Sequence, residues 1–161
     1  MTLVPMKILD VIGFLAFFGL LLRLSLDDVR DGMLYDRFVF PLALSGVVMV
    51  LAGRLSPPLS AWMGALIGGG LLFLVRLLSR GGMGGGDVKL AATLGIWTGL
   101  DGIFPALFVA FLLGSLWGIG QFFVSRGKRT KLPFGPFLAM GGIVGVFFGE
   151  TLSQLYEAWF W

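Results

Sequence analysis

Long apolar runs, each ended by a short cluster of polar residues, dominate the chain. A helix that crosses a bilayer needs about 20 mostly apolar residues, and the runs divide the 161 residues into six segments of about that length or somewhat less. They are roughly Ile8 to Leu26, Phe38 to Gly53, Leu59 to Leu78, Val88 to Leu100, Ile103 to Val124, and Pro136 into the C-terminal tail. The pattern therefore predicts an all-α, polytopic membrane protein with about six transmembrane helices in a single domain, residues 1–161.

Composition narrows the classes of protein and of chemistry that remain. Hydrophobic residues make up 57% of the chain and charged residues only 13%, about half the charged share of a soluble domain. A soluble globular domain and a charge-rich coiled coil are excluded. The chain has no Cys and no His, which excludes disulfides, cysteine nucleophiles, histidine bases and imidazole or thiolate metal sites. Acid–base chemistry would depend mainly on the nine carboxylates.

The positions of the cations predict the orientation in the membrane. Ten of the twelve Lys and Arg residues flank the loops after the first, third and fifth predicted spans, and only Lys7 and Arg54 lie on the other side. The ten are Arg23, Arg30, Arg37, Arg76, Arg80, Lys89, Arg126, Lys128, Arg129 and Lys131. By the positive-inside rule that side is cytoplasmic, and both termini are non-cytoplasmic. We interpret most of these cations as anchors of the membrane topology, with attraction of anionic membrane lipid or of acidic substrate residues as the alternative. The net charge of +3 is too small to indicate nucleic acid.

Glycines are spread through the predicted spans rather than confined to loops. Examples are Gly68-Gly69-Gly70, Gly114, Gly118 and Gly141-Gly142. Small residues let transmembrane helices approach closely. We interpret these glycines as helix-packing positions.

Asp87 is the most unusual of the acids. It follows the glycine-rich stretch Gly81 to Gly86 and precedes an apolar segment, so nearly bare backbone delivers one carboxylate to the start of a hydrophobic helix. An N-cap on a linker is an alternative interpretation. A phosphate cradle is excluded, because no Gly-Lys-Ser/Thr follows and a carboxylate repels phosphate.

A second set of acids is predicted on the same side of the membrane as Asp87. Loop one, immediately after the first span, carries Asp27, Asp28, Asp31 and Asp36. Two close carboxylates can share one proton, so that one acts as a base on water while the other acts as an acid toward a carbonyl. This is the chemistry of aspartic proteases, and it needs neither Cys, His nor a metal.

Three segments of the chain resemble the type IV prepilin peptidases, which are polytopic aspartic proteases. They are the loop-one acids followed by Phe38-Val39-Phe40-Pro41-Leu42, the stretch Gly82-Met83-Gly84-Gly85-Gly86-Asp87-Val88-Lys89-Leu90 with its GxGD motif, and Leu132-Pro133-Phe134-Gly135-Pro136-Phe137-Leu138-Ala139. The resemblance implies one integral-membrane aspartic peptidase domain. It implies an enzyme of the prokaryotic inner membrane that removes the basic leader from type IV pilin-like precursors at the cytoplasmic face, after a glycine. The substrates would belong to pilus or type II secretion systems.

The resemblance also implies roles for individual residues. Asp28 and Asp87 would be catalytic, with Asp27 as the adjacent alternative to Asp28. Gly84 and Gly86 would shape the loop. Lys89 belongs to the motif, and its role is left open between a functional one and an interfacial lysine that snorkels to lipid headgroups. No cofactor or metal is implied.

The sequence departs from the family pattern at two points. Tyr35 stands where the family usually has a proline before the acid at position 36. The chain also has no cysteines, whereas the long forms often carry four in an N-terminal extension linked to methylation. We therefore expect a peptidase-only protein, with a truncated catalytic domain as the alternative.

Two rival functions remain. A small proton or ion carrier would use intramembrane acids, but such sites lie near the midplane, and no acid here falls in the middle of a predicted span. An intramembrane protease of the presenilin kind shares the GxGD motif. It places a Tyr-Asp pair within a span, whereas Tyr35-Asp36 is predicted in a loop.

Overall fold

The structure, a computed structural model, has five helices within the residues that it describes. It describes residues 8–79, 82–124 and 133–160, and no strand occurs within those ranges. The helices are α1 (Ile8–Asp31), α2 (Asp36–Leu51), α3 (Pro58–Leu78), α4 (Gly85–Val124) and α5 (Gly135–Phe160). The predicted all-α class is confirmed.

Helix α1 extends five residues beyond the predicted end of the first span. The sequence predicted a loop for Asp27, Asp28 and Asp31. This prediction is wrong, because all three lie in the last turns of α1. The helix stops at Gly32, which has a φ of 64° and donates its N–H to the carbonyl of Asp28 at 2.9 Å. A glycine in the left-handed region is a common helix end. Gly32 is therefore the sequence feature that marks the end of α1.

Helix α4 is divided at Gly99, close to the predicted boundary between the fourth and fifth spans. Gly99 has φ 65° and ψ −169°, a conformation essentially restricted to glycine. The next N–H, of Leu100, donates to the hydroxyl of Ser60 at 2.9 Å. Ala91 and Ile103, on opposite sides of the break, both lie beside Gly68 of α3. The chain therefore reverses direction at Gly99, and both halves of α4 pack against α3.

Close glycine contacts hold α3, α4 and α5 together. A Cβ on Gly95 would lie 2.2 Å from the carbonyl carbon of Gly64, and one on Gly141 would lie 2.1 Å from the carbonyl oxygen of Ala106. Of the glycines that the sequence singled out for packing, five make such contacts, namely Gly68, Gly69, Gly114, Gly141 and Gly142. The prediction is wrong for Gly70 and Gly118, which have no atom within 4 Å of a Cβ position.

Helix α1 packs against α2 and α5, and large side chains fill the space between α1 and α4. Phe17 of α1 lies with its ring centroid 4.5 Å from that of Trp97 of α4. The Trp97 indole N–H donates to the carbonyl of Leu42 in α2 at 2.9 Å. This aromatic centre links three helices and forms the middle of the apolar core.

The outer surfaces of the helices are strongly apolar. Leu15, Leu66 and Phe108 are each at least 67% exposed, and α1, α3, α4 and α5 are long and apolar enough to cross a bilayer. Helix α2, with 16 residues, is shorter than a typical span. The protein is thus a helical membrane protein. Five of the ten cations that set the predicted orientation lie outside the described residues, namely Arg80, Arg126, Lys128, Arg129 and Lys131. Leu132 of the third motif segment also lies outside them.

Candidate active site

A cavity of about 200 Å³ opens where the end of α1 meets the start of α4. Its walls are Asp28, Gly32, Met33, Leu34, Gly84, Gly85, Gly86 and Asp87. This volume accommodates several water molecules. The structure therefore brings together the GxGD loop and the α1–α2 loop, two segments that are separated in sequence by α2 and α3.

Asp87 is the third residue of α4 and lies in its first turn. Its carboxylate accepts a hydrogen bond from the backbone N–H of Gly84, the residue before the helix, as in the acidic half of a capping box. Its Oδ1 is buried and has no hydrogen-bond partner within the described part of the chain. Asp87 thus makes a capping contact with Gly84, in line with the alternative interpretation, and also has an oxygen without a partner at the cavity.

Asp28 continues the buried stripe of α1. Phe17, Leu21 and Leu24 precede it on the same helix face, so Asp28 points into the bundle with only 6% of its surface exposed. Its Oδ2 accepts the backbone N–H of Gly135, the first residue of α5, at 2.7 Å. Asp28 and Asp87 both line the cavity. The two carboxyl groups thus share one cavity, and each is held by a backbone N–H at a helix start.

Asp27 is also buried, but it does not line the cavity. It forms an ion pair with Arg23 one turn earlier on α1, at 3.3 Å. Neither Asp28 nor Asp87 forms an ion pair with any cation of residues 8–79, 82–124 and 133–160. The neighbouring aspartates of α1 therefore have different surroundings.

Lys89 lies two residues beyond Asp87 and does not line the cavity. Its Nζ donates to Oδ2 of Asp36, the first residue of α2, at 2.6 Å. Both side chains are about half exposed. The pair joins the start of α2 to the start of α4 and thereby holds one end of the α1–α2 loop beside the cavity.

Neighbouring groups lie so close to the glycines of the GxGD motif that a side chain at these positions would crowd or collide with them. A Cβ on Gly86 would lie 2.6 Å from the Cβ of Leu34, and one on Gly84 would lie 3.1 Å from Oδ2 of Asp87. A Cβ on Gly85 would lie 2.5 Å from Nη1 of Arg76. The motif leaves room for the α1–α2 loop, for the aspartate and for a guanidinium group at the end of α3.

Sequence reasoning missed the positions of Gly135 and Leu34 in the site. Gly135 belongs to the third motif segment, but nothing in its spacing indicated a hydrogen bond to a residue 107 positions earlier. Leu34 looked like one apolar residue in a polar loop. Its position between two glycines of distant segments becomes visible only in the folded chain.

The fold and the site together define a helical membrane protein with a buried aspartate pair at one end of the bundle. No three or more His, Cys, Asp or Glu residues of the described ranges come together as metal ligands. The type IV leader peptidase family matches residues 15–119, more than half of the chain. The chain belongs to this family.

Curated relatives agree with the family assignment. The chain is 37% identical over 142 residues to a prepilin leader peptidase/N-methyltransferase of Xanthomonas campestris, covering 84% of this chain and 50% of that protein. It is 31% identical to the protein of the same description from Bacillus subtilis, covering 92% and 60% of the two chains. The corresponding protein of Burkholderia pseudomallei is 38% identical, over 88% and 48%. The chain thus spans about half the length of these relatives, and no solved structure matches it.

Proposed function

We propose that this chain is an aspartic endopeptidase that removes the basic leader from type IV pilin-like precursors at the cytoplasmic membrane face, after a glycine. The observation that carries the proposal is the meeting of Asp28 and Asp87 in one cavity. Membership of the leader peptidase family supports the substrate class. The relatives' printed names describe prepilin leader peptidases, which agrees with pilin-like precursors as substrates.

Asp28 and Asp87 act on a water molecule held between them. Because the two carboxyl groups are buried and line the same cavity, one proton is shared by the pair in the proposed mechanism. The ionised carboxylate takes a proton from the water, whose oxygen attacks the scissile carbonyl carbon, while the protonated carboxyl donates to the carbonyl oxygen. Collapse of the tetrahedral intermediate transfers a proton to the departing amine and breaks the C–N bond.

Backbone groups prepare the two carboxylates for this reaction. Gly135 holds Asp28 and Gly84 holds Asp87, which fixes both groups without neutralising them by a cation. The unpartnered Oδ1 of Asp87 is a free acceptor for the water. Preorganised groups in a site of low dielectric constant need little rearrangement during the reaction.

The orientation of the chain follows from its charges. Arg30, Arg37, Arg76 and Lys89 flank the cavity end of the bundle, whereas Arg54 lies with Asp10 at the opposite end. The positive-inside rule assigns the cavity end to the cytoplasm of a bacterial inner membrane. With a crossing by α2 and a reversal of α4 at Gly99, the proposed topology has six crossings and both termini non-cytoplasmic.

A cleavage assay in proteoliposomes tests the proposed function. The substrate is a pilin-like precursor with a basic leader that ends in glycine, and a chelator is present throughout. We expect the wild type and Asp27→Asn to release the leader, and Asp28→Asn and Asp87→Asn to fail. Cleavage by both of the latter variants would show that the aspartate pair is not the catalyst. Folded wild type that cuts no such precursor would refute the substrate class.

A further inference from the structure

The cavity wall contains two apolar side chains, and one of them, Leu34, lies between the segment that carries Asp87 and the glycine that donates its N–H to Asp28. The other lining residues are four glycines and the two aspartates. Met33 is 61% exposed, whereas Leu34 is half-buried and packs against the apolar core. Leu34 is therefore the apolar lining residue that is packed into the protein.

Leu34 lies between Gly86 and Gly135. Its Cβ is 2.6 Å from the position of a Cβ on Gly86, and its Cδ2 is 3.1 Å from that of a Cβ on Gly135. Gly86 precedes Asp87, and Gly135 holds Asp28. One leucine side chain thus contacts the backbone on both sides of the reaction centre.

The loop that carries Leu34 is fixed at both ends. Gly32 ends α1 with a left-handed conformation, and the Lys89–Asp36 pair ties the start of α2 to α4. The Tyr35 hydroxyl donates to Asp31 at 3.0 Å across the same loop, which raises the pKa of the phenol. These contacts therefore hold Leu34 in position in the cavity wall.

The orientation of the bound precursor determines which of its residues lies beside Leu34. The aspartates lie one turn inside the ends of α1 and α4, and the loop from Gly32 to Tyr35 lies beyond them. On the proposed function, the hydrophobic helix of the precursor approaches from the membrane and the leader lies beyond the helix ends. The last residue of the leader, on the N-terminal side of the scissile bond, is then the residue beside Leu34.

We propose that Leu34 is a specificity-determining residue, which restricts the last leader position to glycine by occupying the space that a side chain there would need. This inference rests on the proposed function and adds to it the residue that sets the selection. A hydrophobic pocket distinguishes substrates that differ by one methyl or methylene group by about 10- to 200-fold. Shortening Leu34 makes room for one methyl group.

Competing cleavage of two precursors tests the inference. The precursors differ only in glycine or alanine at the last leader position, and both are present in one reaction with the full chain in proteoliposomes. The quantity measured is the ratio of kcat/KM for the alanine precursor to that for the glycine precursor. Because both precursors meet the same enzyme preparation, partial misfolding of a variant cancels from this ratio.

We expect Leu34→Ala to raise the ratio by about tenfold or more and Leu34→Val to raise it by less. Leu26→Ala, a matched control at a leucine of α1 that does not line the cavity, leaves the ratio at the wild-type value. An unchanged ratio in Leu34→Ala and Leu34→Val would overturn the inference, as would an equal rise in Leu26→Ala. Wild type that cuts the glycine precursor while these variants show no change separates failure of this inference from failure of the proposed function.

Discussion

Helix α1 carries a buried carboxylate near each end, and the two have opposite surroundings. Asp10, 5% exposed, accepts two hydrogen bonds from the Arg54 guanidinium. Asp28, 6% exposed, has a backbone N–H and a second aspartate as neighbours and no cation within the described ranges. Similar burial of the same residue type thus gives an ion pair at one end and a carboxylate pair at the other.

On the proposed function, the difference separates a stabilising group from a reactive one. A buried charge is tolerated when its partner compensates the lost hydration, and the Arg54 guanidinium does so for Asp10. The Asp28–Asp87 pair lacks such compensation and carries an unpartnered oxygen. Sites that retain unfavourable interactions often do so for function. We therefore expect substitutions at the two ends to change different properties of the protein.

The largest effect is expected at the aspartate pair. Asp28→Asn and Asp87→Asn each remove an acid–base group and lower kcat/KM by about 10²- to 10⁴-fold or more. The midpoint of thermal unfolding in detergent stays the same or rises, because one uncompensated buried charge is lost. A fall in both activity and thermal midpoint would identify these residues as structural.

Gly135→Ala is expected to give the next largest effect. A Cβ at this position would lie 2.8 Å from Oδ2 and 3.1 Å from Cβ of Asp28, so it displaces the carboxylate. Misplacement of a reacting group by about 1 Å lowers the rate on the order of 10²-fold. Gly19→Ala, on the open side of α1 with no atom within 4 Å, is the matched control. Equal rates for the two variants would argue against a positioning role for Gly135.

Substitution at the other end of α1 is expected to lower stability and leave catalysis intact. Asp10→Asn leaves the Arg54 guanidinium without its carboxylate, which lowers the thermal midpoint by several degrees. Adding Arg54→Gln recovers part of the loss, because the uncompensated cation is then removed. Loss of cleavage in Asp10→Asn at a temperature where the protein stays folded would contradict the contrast between the two ends.

The smallest effect is expected for the exposed pair of Lys89 and Asp36. Their side chains are 54% and 48% exposed, and exposed ion pairs contribute about 1 kcal/mol or less. Lys89→Gln lowers kcat/KM severalfold at most, and high salt reduces the difference from wild type. Lys89→Arg, which keeps the charge, serves as the control. A salt-independent loss as large as that of Asp87→Asn would place Lys89 in the reaction itself.

The local elements could be predicted from the sequence, whereas the contacts between them could not. Apolar runs predicted the helices, and the glycine stretch before Asp87 predicted an unusual helix start. The boundary of α1 was wrong because Asp27 and Asp28 were counted as loop residues, while Gly32 marks the actual helix end. The hydrogen bond from Gly135 to Asp28 depends on how α5 packs against α1, and sequence periodicity contains no information on such a contact.

A comparison of single and double variants tests the Asp28–Asp87 pair most directly. The measurement is the single-turnover cleavage rate of a pilin-like precursor by the wild type, Asp28→Asn, Asp87→Asn and the double variant. Groups that act as one unit are strongly non-additive. We predict that the double variant is about as slow as the slower single variant. A double variant whose loss equals the product of the two single losses would show that Asp28 and Asp87 act independently.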